Sequence, residues 1–298
     1  MPLFDTYVMV DWSAAKKPVW NKDSIWIGAF RRAGSELHWL LLENPRTRAA
    51  ATIRLSDFLA ASLDRGERVL VGFDFPFGYS AGTCDGLGLK GLKWRHLWSL
   101  LSELLQDEAD NRNNRFDVGA TLNKRLSKGP FPFWGHDGRH EGPFLTARKH
   151  RQHGPADMPE RRQCELRVPT AQSAFKLAYT GSVGSQALTG IPRVWEIRRD
   201  PRLAMTTHIW PFETGLAADE SVSVVLAEVY PSLVPHEDLP DKPKDAGQVT
   251  AIAKHFAALD ARDALAPLFA GDPALSEAER EAVVAEEAWI LGVPGAAA

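Results

Sequence analysis

The sequence predicts an α/β fold: a mixed sheet of three antiparallel strands followed by parallel ones, flanked by helices and interrupted by a large helical and loop insertion. Three observations predict it. Apolar runs of strand length follow one another near the N-terminus with turn-length gaps between them. A helical segment then separates the third run from a fourth, as a crossover to a parallel strand requires. The fourth run, residues 69–74, is apolar until its last position, the pattern of a strand covered on both faces.

Taken in order, TYVMVDW (6–12) is a short strand that ends on Asp11. SIWIGAFR (24–31) and LHWLLLEN (37–44) follow, divided by a gap of hairpin length. LSDFLAASLDRG (55–66) has helical spacing, with Ser56 as N-cap and Gly66 as stop. VLVGFD (69–74) closes on Asp74, and Pro76 and Gly78 are expected to turn the chain away and leave a site open. Residues 81–125 are helical in part. Residues 127–165 are rich in Gly, Pro, His and Arg without a period, as a long loop would be. Its histidines, His136, His140, His150 and His153, match no metal-site spacing, which favours a solvated loop. TGSVGSQALTGIP (180–192) alternates glycine with hydroxyl residues ahead of a helical stretch. Such a loop can offer backbone N–H groups to an anion, and a plain turn before a helix accounts for it equally well. Residues 205–215 and 222–232 are β-like and carry Glu213 and Glu228. Residues 245–268 are helical, with Asp245 and Gln248 at capping-box positions. Residues 275–295 form the last expected helix, opened by a Ser276–Glu279 capping box and stopped at Gly292.

The 298 residues, 44% hydrophobic, suffice for one large domain or two modest ones. There is no apolar run of membrane-spanning length and no secretory leader pattern at the N-terminus, so a cytoplasmic protein with no membrane partner is expected. Cys84 and Cys164 stand too far apart for a zinc or disulfide pattern. Charge is uneven. Residues 81–204 hold 20 Lys and Arg against 13 Asp and Glu, whereas the remainder holds 15 against 25. A basic flap over an acidic, phosphate-handling site is one reading, and ordinary surface variation is the other. The division expected is therefore a core of residues 1–80 and 205–298 carrying an insertion at 81–204.

Four acids misfit their apolar surroundings. Asp11 ends the first strand, Asp74 ends the fourth, Glu228 lies late in an apolar strand, and Glu287 has Val283, Val284, Ile290 and Leu291 on its helical face. Carboxylates converging at the carboxyl ends of parallel strands repel one another unless a cation neutralises them. Hard oxygen ligands suit Mg²⁺ or Mn²⁺, and a pair of such ions can drive phosphodiester hydrolysis. The catalytic candidates are Asp11, Asp74, Glu228 and Glu287, and the metal candidates are Asp11, Asp74 and Glu287.

The motifs VDWSAAKKP (10–18), GFDFPFGY (72–79), AEVYPS (227–232) and EEAWILGV (286–293) resemble, in this order, those of the predicted-nuclease family called domain of unknown function 429, with a ribonuclease H-like fold. The resemblance spans both ends of the chain and omits most of 81–204. It implies a metal-dependent, nuclease-like phosphodiester hydrolase. Where the family carries Asp in its last helix this chain offers Glu286 or Glu287, with Asp260 and Asp263 as alternatives for the third acid. Ser13 and Lys16 in the first motif, and Ser182, Ser185 and Gln186 in the glycine–hydroxyl loop, are the substrate-binding candidates. The expected partner is nucleic acid or a phosphorylated small molecule. An actin-like or sugar-kinase-like phosphotransferase and a non-catalytic binder of a phosphorylated cofactor are the alternatives. The ten tryptophans are assigned mainly to the core.

Overall fold

The structure is a computed structural model describing residues 2–34 and 36–293. Seven strands form one mixed sheet: β1 (Thr6–Asp11), β2 (Trp26–Ala33), β3 (Glu36–Glu43), β4 (Val69–Phe73), β5 (Thr207–Ile209), β6 (Val224–Val229) and β7 (Ile290–Leu291). The order across the sheet is β3-β2-β1-β4-β6-β5, with β7 also paired to β6. The first three strands are antiparallel neighbours. All pairings of β4, β5, β6 and β7 are parallel. The expected mixed sheet is thus present, and the crossover between β3 and β4 is helix α1 (Arg48–Asp64).

Both faces of the sheet are covered, which is why its central strands are apolar throughout. On one face Val8, Val10, Val69 and Val71 pack against Leu55 and Leu59 of α1. The same cluster takes in Trp94 and Trp98 of α3 (Lys93–Leu104), Leu122 of α4 (Arg115–Leu126) and Ile191 of α6 (Gly184–Arg199). The segment between β4 and β5 also includes the single-turn helices α2 (Thr83–Gly86) and α5 (Gln163–Leu166). On the other face Tyr7, Met9, Leu70 and Val225 pack against Val249, Ile252 and Phe256 of α7 (Lys244–Asp260). Residues 81–204 therefore supply much of one wall of the core.

Three helix expectations are corrected. α1 starts well before Ser56, at Arg48, because Thr47 accepts from the Ala50 N–H and caps it; Ser56 is a buried interior residue. Asp245 does not cap α7, whose N-cap is Pro243; Asp245 lies in the first turn. The last helix is short. α8 (Glu277–Ala282) has the expected Ser276–Glu279 capping box, but it widens into a π-turn at Val283–Glu287. Ala288 then takes a left-handed φ of 63°, and the chain straightens into β7. Glu287 therefore shares no helical face with Ile290 and Leu291. The 127–165 loop is also less solvated than expected: His136 is buried, hydrogen-bonded to Glu141 at 2.7 Å and accepting from the Gly138 N–H.

Candidate functional site

Val10 and Phe73 are register partners in the parallel β1–β4 pair, and the Asp74 N–H donates to the Val10 carbonyl at 3.2 Å. The next residue on each strand is an aspartate. The register therefore sets Asp11 and Asp74 side by side at the carboxyl end of the sheet, each carboxyl acting on the other. Burial, and then the Asp74 charge, lift the Asp11 carboxyl well above the usual range. Burial lifts Asp74 to about 7, against the opposing hydrogen bond from the Trp12 N–H to its Oδ1 at 2.7 Å. Two buried carboxyls side by side resist ionising together, so both shifts run upward.

Asp245 is a residue the sequence reading took for a helix cap. Its Oδ2 accepts the Asp23 N–H at 2.8 Å. Burial raises its own pKa, and its charge, together with that of Asp23, raises Asp11 further. Five aspartates, Asp11, Asp23, Asp74, Asp137 and Asp245, thus line one cavity of about 600 Å³. Among the described residues, no group of three or more His, Cys, Asp or Glu is arranged to hold a metal ion. The Asp11–Asp74 pair occupies the strand ends, and the Asp245 carboxylate is held against the Asp23 backbone.

The opposite wall is basic and polar. The cavity is lined there by Ser182, Ser185 and Gln186, at the start of α6, and by Arg115, at the start of α4. A Cβ on Gly184 would sit 2.3 Å from the Ala174 carbonyl, so a glycine is needed where α6 begins. The Gln186 amide donates to the Trp12 carbonyl at 2.6 Å, tying this wall to the residue beside Asp11. The Arg115 Nε donates to the Ser185 hydroxyl at 2.8 Å, and its Nη1 to Asn113 at 2.9 Å. It forms no ion pair among the described residues, and burial, with the nearby Arg48 charge, pushes its pKa down to about 10. An arginine so placed lacks an anion, and a helix N-terminus beside it favours one.

Of the five substrate-binding candidates, Ser13, Ser182, Ser185 and Gln186 line the cavity. Lys16 does not. It pairs with Asp137, itself a lining residue, at 3.0 Å and lies over the Phe116 ring.

Glu228 and Glu287 are engaged elsewhere. Buried Arg162 makes a two-pronged pair with Glu228, at 2.6 and 2.7 Å, and bonds Glu165 at 2.8 Å and the Glu287 carbonyl at 2.8 Å. The Phe77 N–H also donates to Glu228. The Glu287 carboxylate accepts the Ala81 and Gln163 N–H groups, both at 2.8 Å. Glu286 accepts from Gly82 and Cys84. Asp260 accepts from Leu3, Phe4 and Tyr7. These acids are matched by buried donors that staple loops together, whereas Asp11 and Asp74 face each other. Gly78, in the bend after Asp74, has a packing role as well. A Cβ on Gly78 would meet the Glu286 carbonyl at 2.1 Å, so glycine is required for the π-turn to seat against this loop.

The sequence signal for Asp11 and Asp74 was a charge ending an apolar run. Nothing comparable marks Asp245, Asp23 or Arg115, whose neighbours are polar. Comparison with protein-family models, with curated proteins and with solved structures returned no match. No described helix is long and apolar enough to cross a membrane.

Proposed function

We propose that the protein is a divalent-metal-dependent phosphodiester hydrolase of the nuclease-like kind, built on a ribonuclease H-like sheet, with Asp11 and Asp74 as its central acids. The observation carrying this reading is the juxtaposition, in one cavity, of a buried pair of adjacent carboxyls and an arginine that forms no ion pair among the described residues. The donor set fits Mg²⁺ or Mn²⁺ of the kind that keeps several waters and takes one or two protein carboxylates plus substrate oxygens. It does not fit an all-protein cage. Asp11 and Asp74 would hold the ion, with Asp245 at its rim in place of Glu287. When bound, the ion supplies charge neutralisation and Lewis acidity toward the phosphoryl oxygens.

The remaining roles belong to the chain. The Trp12 N–H fixes Asp74 Oδ1, so that the carboxylate keeps one orientation through a change of protonation. Arg115 and the N-terminal end of α6 stabilise negative charge on the phosphoryl group from the far wall. The Ser185 hydroxyl holds the Arg115 fork in place.

The test is thermal unfolding with Mn²⁺, together with cleavage of bis(p-nitrophenyl) phosphate. Wild type should gain about 2.7 kcal/mol at a hundredfold excess of Mn²⁺ over its dissociation constant, and Asp74→Asn should gain almost none. Asp245→Asn should fall between them. Equal responses in wild type and Asp74→Asn, or no response in either, would overturn the reading.

A further inference from the structure

The cavity at the aspartate pair does not end at its own walls. Tyr179 lines it and also lines a second hollow of about 690 Å³, together with Trp134, Arg148, Lys149 and Gln152. Tyr179 is 54% exposed and has a φ of 76°. A bulky non-glycine residue in the left-handed region is uncommon, and such strain persists only where the surroundings impose it. Here they do. The Ser182 N–H closes onto the Tyr179 carbonyl at 3.0 Å, and Gly181 follows with a φ of 75°. Trp134 is fixed just as firmly. Its N–H donates to the Phe175 carbonyl at 3.1 Å, and its carbonyl accepts from Leu177 at 2.8 Å. A Cβ on the next residue, Gly135, would lie 2.9 Å from the Ala178 nitrogen, so the two segments meet only because that residue is glycine. The two rings end 6.5 Å apart, tilted by 35°.

Two of the three cations around these rings form no ion pair among the described residues. Lys176 lies 5.9 Å from the Trp134 ring and, among the described residues, bonds the Gln172 side chain and the Thr180 carbonyl but no acid. Arg148 forms no ion pair among the described residues, whereas Lys149 is paired with Glu160. Aromatic faces beside unpaired cations are what unstacked bases and their phosphates bind, and a duplex keeps its bases out of reach of such faces. We propose that the substrate is single-stranded nucleic acid, entering over Trp134 and Tyr179 with its bases on the rings and its phosphates against Arg148 and Lys176, and passing Tyr179 into the Asp11–Asp74 cavity. This inference rests on the phosphodiester reading of that cavity and names its substrate.

The experiment is fluorescence anisotropy of a labelled oligothymidylate of about a dozen nucleotides, a length within the usual single-strand site sizes, with the full chain in EDTA. The variants are Trp134→Ala and Tyr179→Gly. Glycine takes a φ of 76° freely, so the second removes a ring without a folding penalty. Each should weaken binding about fivefold or more, the range of one lost stacking contact. Duplex of the same length should bind more weakly than the single strand. Unchanged affinity in both variants, equal affinity for duplex, or competition by thymidine monophosphate as effective as by the oligomer would overturn the inference. Because EDTA removes divalent ions, stacking-dependent binding without any cleavage in Mn²⁺ would sink the hydrolase reading alone. Cleavage of the small diester without stacking-dependent binding would sink this inference alone.

Discussion

Replacing Asp74 by Asn should stabilise the metal-free protein at alkaline pH and leave it almost unchanged in acid. Asp74 is pushed from 3.8 to about 7 in the folded chain, chiefly by burial. The Asp245 charge adds to that upward push, whereas the Trp12 N–H and the Asp11 side chain oppose it. The folded protein therefore holds a proton that the unfolded chain gives up near pH 4. Stability from this source is complete below the unfolded pKa and is lost as pH rises through the folded one. Three pKa units correspond to roughly 4 kcal/mol at 1.36 kcal/mol per unit, an upper bound because the carboxyls titrate as a pair. Asn keeps the Oδ1 that accepts from Trp12, adds an N–H₂ donor toward Asp11, and cannot ionise. The assay is guanidinium unfolding of both proteins in EDTA from pH 4.5 to 9, comparing only their difference so that other titrations cancel. The Asn variant should overtake wild type by up to roughly 4 kcal/mol by pH 9, the gain accruing between the unfolded value of 3.8 and the folded value of about 7. A difference that does not vary with pH, or a variant that loses ground as pH rises, would refute the account of the pair.

Three further outcomes are expected. Glu287→Gln should keep the full Mn²⁺-induced stabilisation, since its carboxylate is taken up by the Ala81 and Gln163 N–H groups, and should lose about 1–3 kcal/mol of stability in urea. Arg162→Met should cost about 3–5 kcal/mol by chemical denaturation, because it leaves Glu228 and Glu165 buried without their cation. Gly78→Ala, with its new methyl 2.1 Å from the Glu286 carbonyl, should lower the melting temperature through a loss of at least about 3 kcal/mol, the upper end of ordinary overpacking.

The sheet was legible because its strands write burial on both faces into unbroken apolar runs, and because the helix between β3 and β4 fixes the parallel pairing. That pairing alone made Asp11 and Asp74 neighbours. Glu228 and Glu287 were legible as misfits but not in their company. The cation that answers Glu228 is Arg162, 66 residues earlier in a stretch without periodicity. Glu287 looked like the middle of a helical stripe because a π-turn and a left-handed Ala288 leave no compositional trace. Asp245 misled in the opposite way. Its spacing from Gln248 suits a capping box, and only the approach of the Asp23 loop turns it to the cavity.

The Arg162 guanidinium has a consequence for how the chain reaches this state. It reaches Glu228, 66 residues away, and the Glu287 carbonyl, 125 residues away, while sitting in the segment between β4 and β5. The carboxyl end of β6 thus meets its counter-ion only after that segment has arrived, and the C-terminal turn closes over both. Contacts of such sequence separation form late, after the loop entropy they span has been overcome. Residues 81–204 are accordingly no detachable graft. Excising them would strand Glu228 in an apolar strand with no cation in reach, and a shortened chain would stall with its last turn undocked.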